Sequence, residues 1–294
     1  MPDKIRFGAR GSTLALKQAE LAASALMRIG VKAEIVPINS HGDTNLTSPL
    51  YKMEKPGVFV DSINRMLLSG EIDAAVHSAK DIPSSIDDGL TVSAVLERES
   101  PEDCLASRSG LGIQELPANA IIGTSSLRRK YDALEVRPDL IVKDIRGNVD
   151  TRIGKMLNGD YDAVILAEAG MRRLGLGVRR VSLPLREFIP SPNQGIIAIM
   201  TAIRTPHTGL IAKIDHGDTR VAYRYERKAS ETLVLGCSRP AGILCIPGKN
   251  ECSIMVRIRS DDGSRKVELF EHFSSDSEFD SILERLKSAV SALR

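Results

Sequence analysis

Short β-rich runs alternate with helical patterns through the first half of the chain: a strand at 4–8, a helix after Ser12, a strand at 33–38, a helix at 58–68 and a strand at 74–77. Strand, helix, strand, helix in that order predicts a parallel sheet covered by helices. In the first helix Ser12 reads as the N-cap, and Leu14, Leu21, Ala25 and Ile29 recur on one face as the expected buried stripe. Gly30 stands where a left-handed C-terminal glycine belongs. A second α/β series follows Glu97, with strands at 120–123, 140–143 and 163–167, a helix from Ser125 or Ser126, and another through Ile153 and Leu157. Charges and Pro101 interrupt the pattern at 97–102, the Pro-rich 189–193 interrupts it again, and 205–218 is a weaker break. Beyond it the pattern changes to a helix at 219–235, alternating strands at 253–260 and 266–273, and a closing helix, which predicts a small α+β unit. That last helix has a Ser277-x-x-Asp280 start resembling a capping box, with Phe279, Ile282, Leu283, Leu286, Val290 and Leu293 on one stripe.

Composition narrows the class. Of 294 residues, 42% are apolar and 27% charged, which excludes a disordered or fibrous chain. Forty Lys and Arg against 38 Asp and Glu leave a net charge of +2, too balanced for a nucleic-acid or membrane partner recognised by bulk charge. With 4% aromatics and no Trp, base-stacking platforms are poorly supplied. Four cysteines without a CxxC pair predict neither a disulfide scaffold nor a metal site. No apolar run approaches the length of a membrane span, and Asp3, Lys4 and Arg6 occupy the place where a signal peptide is apolar, so the expected location is cytoplasmic.

Three strand-to-helix joins concentrate Arg, Ser, Thr and Gly: Gly8-Ala9-Arg10-Gly11-Ser12, Gly123-Thr124-Ser125-Ser126-Leu127-Arg128-Arg129, and Arg146-Gly147-Asn148-Val149-Asp150-Thr151-Arg152. A helix N-terminus carries unpaired N–H groups and partial positive charge, so hydroxyls and guanidiniums there make an anion site, although any one such loop is equally an ordinary cap with a solvated arginine. Three of them in two sheets favour one shared polyanionic ligand beyond the strand ends. The forks of Arg10, Arg128, Arg129, Arg146 and Arg152 suit planar carboxylates. Nucleotide binding lacks its signatures, since neither GxxxxGK[ST] nor GxGxxG occurs. At the end of an apolar strand, His77-Ser78-Ala79-Lys80-Asp81-Ile82-Pro83 offers Asp81 as an acid, base or cation stabiliser kept ionised by Lys80, or as a plain turn cap beside a surface lysine. Cys237, at a helix-to-loop turn, is either an accessible thiol or a packed one.

Taken together, Val76-His77-Ser78-Ala79-Lys80-Asp81-Ile82-Pro83, the two arginine loops after Gly123 and at Arg146, and Gly236-Cys237 resemble the porphobilinogen deaminase (hydroxymethylbilane synthase) family from about Arg6 to Pro240. The resemblance implies an α/β fold of two periplasmic-binding-protein-like lobes with parallel-rich sheets, residues 1–96 with 191–214 and residues 97–190, plus a small α+β domain at 215–294. It implies a transferase that removes ammonia from porphobilinogen, forming an electrophilic azafulvene, and joins four units head to tail before releasing linear hydroxymethylbilane. A dipyrromethane primer is expected on Cys237 through a thioether, contacted by Ser78, Lys80, Thr124, Ser126, Arg128, Arg129, Arg146 and Gly147. Asp81 is the implied catalytic carboxylate, and Arg10, Ser12, Phe59, Arg146, Arg152 and Gln194 are the implied substrate contacts. A monomer acting on a small molecule, without nucleic acid, membrane or metal, completes the expectation. The chain departs from the family in its 45–55 loop, where Lys55 is displaced by one position, and at Asn193, which stands at a glycine position. Two other classes explain less: a two-lobed binding protein for a polycarboxylate has no use for Cys237 and normally carries an export signal, and an RNA-binding protein lacks the aromatics.

Overall fold

The computed structural model describes residues 4–38, 58–83, 85–233 and 239–293. Strands β1 (Ile5–Arg10), β2 (Ala33–Ile38) and β3 (Ala74–Ser78) alternate with helices α1 (Thr13–Met27) and α2 (Val58–Ser69), and β1 lies parallel to both β2 and β3. Strand β4 (Leu90–Val95) reaches this sheet only through β10 (Ile197–Ala202), which runs antiparallel to β3 and to β4, giving the order β2-β1-β3-β10-β4. Ile5, Phe7 and Ala9 pack with the Ala19, Ala22 and Leu26 side of α1, while Ala75 and Ala198 face Ile63 and Leu67 of α2. With both faces covered, the central strands read as nearly continuous apolar runs.

The second lobe repeats the plan. It contains β5 (Asp103–Ser107), β6 (Ile121–Gly123), α3 (Leu127–Val136), β7 (Ile141–Lys143), α4 (Val149–Leu157), β8 (Ala163–Ala167), α5 (Glu168–Leu174) and β9 (Arg180–Ser182), in the sheet order β7-β6-β8-β5-β9. Strand β6 is parallel to β7 and β8, and β5 is antiparallel to β8 and β9. Each sheet is therefore mixed: the parallel pairs expected from the alternating pattern form one side of it, and an antiparallel strand that follows a chain crossing, β10 or β5, lies between them and the far edge strand. The two crossings pair with each other, Leu96 N donating to Ile197 O at 3.0 Å and Glu99 N to Gly195 O at 3.1 Å. They form a two-stranded hinge between the two lobes.

After α6 (Thr208–Ile211), helix α7 (Gly217–Thr232) precedes an antiparallel meander of β11 (Ala241–Pro247), β12 (Cys252–Arg259) and β13 (Lys266–Phe273), closed by α8 (Asp276–Ser291). Tyr225, Phe273 and Phe279 meet at centroid separations of 4.6–4.8 Å in its core, and the whole expected α8 stripe is buried.

Two expectations are corrected. In α1 the buried residues are Gln18, Ala19, Ala22, Ala25 and Leu26, while Leu21 and Ile29 are each 41% exposed. Alanines let the helix lie close to the sheet, and that approach turns the larger side chains to the border. The α8 cap is Ser275, not Ser277: its hydroxyl accepts from Glu278 N at 3.2 Å, and Glu278 accepts from Ser274 N at 2.7 Å. The 45–55 loop lies outside the described residues.

Candidate active site

The end of β3 in the first lobe and the start of α3 in the second come together at the crossing, where Lys80 approaches Gln194 and feels the charges of Arg128 and Arg129. From the first lobe, β1 ends at Arg10, and Ser12 caps α1, accepting from Ala15 N at 3.4 Å. Strand β3 ends at Ser78, whose hydroxyl accepts from Gln18 Nε2 of α1 at 2.7 Å. A single 3-10 turn, Ala79–Asp81, then projects Lys80 and an exposed Asp81. Phe59 falls in the first turn of α2.

From the second lobe, β6 leads into Thr124, which is buried, and Ser126, which caps α3 by accepting from Arg129 N at 3.5 Å. Ser125 ties this loop to the next, donating to Ile145 O at 2.7 Å and accepting from Ile145 N at 3.0 Å. Gly147 has φ +107°, and a Cβ there would lie 2.6 Å from Thr151 Cγ2, so only glycine makes the turn that brings Arg146 and Arg152 together. Arg152 Nε donates to Gly147 O at 2.8 Å.

Arg128 and Arg129 do not both point freely into the cleft. They grip Asp103, the first residue of β5, which is fully buried. Arg128 Nη2 reaches Asp103 Oδ2 at 2.7 Å; Arg129 Nη2 and Nε reach Oδ1 at 2.6 and 3.1 Å. Burial opposes ionisation of Asp103, but Arg128, Arg129 and the amide of Gln194 outweigh it and hold the carboxyl well below the usual carboxylate range. Gln194, also buried, donates Nε2 to Asp103 Oδ1 at 2.9 Å and to Pro101 O at 2.9 Å, while Lys80 Nζ and Arg129 Nη2 each approach its Oε1 at 3.4 Å. Its amide links Lys80 of the first lobe to Arg129 and Asp103 of the second. Asn193 beside it adopts φ +61°, the left-handed region its glycine position requires. Gly195, at φ +87°, passes so close to Glu99 O that a Cβ would lie at 2.4 Å.

The cations of the cleft repel one another. Lys80 keeps contact with solvent but is surrounded by protein on most sides, so desolvation, then Arg129, pushes its ammonium down to about 8 against the pull of Asp81 and Asp103. Burial pushes Arg152 to about 10, with Arg129 and Arg146 acting the same way. Burial and Arg10 lower His77 to about 4, which leaves its imidazole neutral near pH 7. Positive charge in excess of its counter-charges, set at strand ends and helix N-termini, is the electrostatics of a polyanion site.

Sequence reasoning missed Asp103 and Arg173. Arg173, on α5 after β8, donates Nη2 to Gly195 O at 2.6 Å, and burial pushes it down to about 10. With Gly11, Thr13, Leu16, Lys17, Glu20 and Leu174 it lines a cavity of about 390 Å³ between α1 and α5. Arg173 lies in the last turn of α5, away from the strand-to-helix joins on which the sequence reading concentrated. Asp103→Asn keeps the volume but leaves two buried guanidiniums without their shared anion, and we expect it to cost about 3–5 kcal/mol of folding stability by chemical denaturation. A loss below about 1 kcal/mol would contradict that accounting.

A family model described as the porphobilinogen deaminase dipyrromethane cofactor binding domain matches residues 5–208, spanning both lobes. The chain belongs to the porphobilinogen deaminase family. The "Probable porphobilinogen deaminase" of Picrophilus torridus is 47% identical over 239 residues, covering 81% of this chain and 84% of that relative. That of Thermoplasma volcanium is 42% identical over 288 residues, covering 98% and 96%. In this porphobilinogen deaminase family chain, Cys237 lies outside the described residues, between the end of α7 and β11. Those flanking elements are tied to the hinge through the buried Glu226 of α7. Its carboxylate accepts from Arg98 Nη1 at 2.6 Å, Asn193 N at 2.5 Å and Cys245 N at 2.8 Å. Of the other cysteines, Cys104 and Cys245 are buried and Cys252 is partly buried. Burial pushes the Cys104 and Cys245 thiols up, away from the reactive thiolate.

Proposed function

We infer that the chain is a hydroxymethylbilane-forming transferase that deaminates porphobilinogen and condenses four units head to tail, with the cleft between the lobes as its site. The cationic cluster of Lys80, Arg129, Arg146 and Arg152 beside the exposed Asp81 carries this reading. Each pyrrole ring brings an acetate and a propionate, so a growing chain is a polycarboxylate that matches an excess of guanidinium and ammonium groups. The donor set fits a dipyrromethane primer on the same ground: four carboxylates facing mutually repelling cations. Lys80, Ser78, Thr124, Ser126, Arg128, Arg129, Arg146 and Gly147 would hold that primer, and Cys237 would carry it by a thioether. When bound, the primer supplies the free pyrrole α-carbon at which chain growth starts.

The chain's own residues then have separable tasks. Arg10, Ser12 and Arg152 bind the carboxylates of incoming porphobilinogen, and Phe59 stacks on its ring. Asp81 accepts hydrogen bonds from pyrrole N–H groups and stabilises the cation left on the substrate when ammonia departs. Lys80 neutralises a carboxylate. Arg128 and Gln194 hold the other cations in place through Asp103. This division assigns residues 1–96 with 191–214 and 97–190 to the lobes and 215–294 to the carrier domain. We place the protein in the cytoplasm as a monomer; among the described residues no helix is long and apolar enough to cross a membrane.

Purified protein incubated with porphobilinogen should consume it with release of ammonia and form hydroxymethylbilane. Binding without turnover would favour a two-lobed polycarboxylate-binding protein instead. The lowered Lys80 pKa gives a pH test with a definite sign. Its ammonium is charged below about 8 and neutral above, and a bound carboxylate favours the charged form. The KM for porphobilinogen should therefore rise as the pH passes 8, and Lys80→Arg, which stays charged, should flatten that rise. An identical pH profile in the variant would remove Lys80 from carboxylate binding.

A further inference from the structure

Helix α3 is held from two sides. On one side Asp103 grips Arg128 and Arg129, as described above. On the other lies the carrier domain, whose strand β12 sends two arginines into the helix. Both converge on Asp132, one turn after Arg128 and 1% exposed. Asp132 Oδ1 accepts from Arg257 Nη1 at 3.1 Å and from Arg259 Nη2 at 3.2 Å. Its Oδ2 lies 3.7 Å from Arg128 Nη1 and makes no hydrogen bond among the described residues. A single buried carboxylate thus faces three guanidiniums, two from the carrier domain and one from the proposed primer site.

The same arginines seize the segment that returns the chain to the hinge. Arg257 Nη1 and Nη2 donate to Glu187 O at 2.6 Å and Arg186 O at 2.7 Å. Arg128 Nη1 donates to Ile189 O at 2.9 Å, and Ile243 N of β11 to Pro190 O at 2.9 Å. At the rim, Glu135 of α3 pairs with Arg259 and Lys266 but does not contact Arg128. Arg128 is therefore bracketed by two carboxylates: Asp103 belongs to its own lobe, and Asp132 is itself set by the carrier domain.

We propose that Asp132 is a positioning residue: clasped by Arg257 and Arg259, it fixes Arg128 and the first turn of α3 relative to the carrier domain. Segment 234–238, flanked by α7 and β11, would carry one end of the primer, and the first turn of α3 would receive its carboxylates. Those two points must keep one register for the chain end to meet Asp81. A displacement of the order of 1 Å far from the reacting atoms is enough to cost up to about a hundredfold in rate. The charge at position 132 is therefore a requirement of the site as well as of the interface. This proposal rests on the condensation activity inferred above.

The test compares Asp132→Asn with Glu135→Gln in the full chain. The second variant loosens the same interface without facing Arg128. Asp132→Asn should keep the intact mass of the primer-bearing protein yet lower kcat about tenfold or more, with the KM for porphobilinogen changed little. Glu135→Gln should leave kcat within about twofold of wild type. Hydrogen exchange supplies a readout independent of turnover: the amides of Arg128, Arg129 and Lys130 should exchange faster in Asp132→Asn and at the wild-type rate in Glu135→Gln. If Asp132→Asn does not fold, Arg257→Lys, which keeps the charge but loses the fork, should show the same two effects more weakly. Unchanged exchange at those amides in Asp132→Asn, or an equal loss of kcat in Glu135→Gln, would overturn the proposal. A wild type that consumes no porphobilinogen would instead defeat the condensation reading, leaving the exchange comparison to decide the role of Asp132.

Discussion

Cys237→Ser should give a folded protein that carries no dipyrromethane and condenses no porphobilinogen. A thioether requires sulfur. Serine preserves the approximate volume, but its hydroxyl is a far weaker nucleophile than a thiol that ionises near pH 8.5. The remaining cysteines provide controls within the same chain. Cys104 and Cys245 are buried with their thiols pushed up by that burial, and Cys252 sits partly buried at the start of β12. Replacing each by Ala should leave the primer attached and cost at most a few kcal/mol, the usual range for truncating a buried side chain. An acidic aldehyde reagent for free α-pyrrole positions should therefore colour the wild type and those three variants and leave Cys237→Ser colourless. Colour in the serine variant would move the attachment elsewhere.

Asp81→Asn should lower kcat by about 10² to 10³, the cost of about 3–4 kcal/mol typical for losing one preorganised electrostatic partner of the transition state. The substitution retains shape and removes only the charge that opposes a developing cation. Asp81 is exposed at the end of a 3-10 turn, so its loss should leave the unfolding transition in place, which separates chemistry from stability. Asp81→Glu should be milder, because the carboxylate survives with a shifted position. Near-normal turnover by the asparagine variant would take Asp81 out of the chemistry.

Local patterns made much of this legible. The N-cap Ser12, the helix start at Ser125 or Ser126, the strands at 33–38 and 163–167, and the α8 stripe follow from short-range rules, because caps and amphipathic faces are satisfied within a few residues. Of the strands that were not anticipated, β4, β5, β9 and β10 are short runs whose pairing is decided by partners far away in sequence, while β11 pairs with the neighbouring β12 but is an apolar run without the alternation that marks a half-exposed strand. β10, for example, inserts between β3 and β4 after the chain has built the entire second lobe. The site divides in the same way. Loops rich in arginine announced an anion site, but Asp103 and Asp132 were invisible as functional groups, since one carboxylate in a linker or mid-helix has no pattern of its own. They also change what the arginines do. Two guanidiniums that read as ligand contacts are spent in part on a buried carboxylate, and the free positive charge shifts towards Lys80, Arg146 and Arg152.

The central claim, that a growing pyrrole chain is held covalently in this cationic cleft, is tested most directly by the intact mass of the purified protein before and after limiting porphobilinogen. The wild type should be heavier than its sequence by one dipyrromethane, and limiting substrate should add a ladder of species spaced by one pyrrole unit. A protein with the unmodified mass of its 294 residues under both conditions would contradict the account.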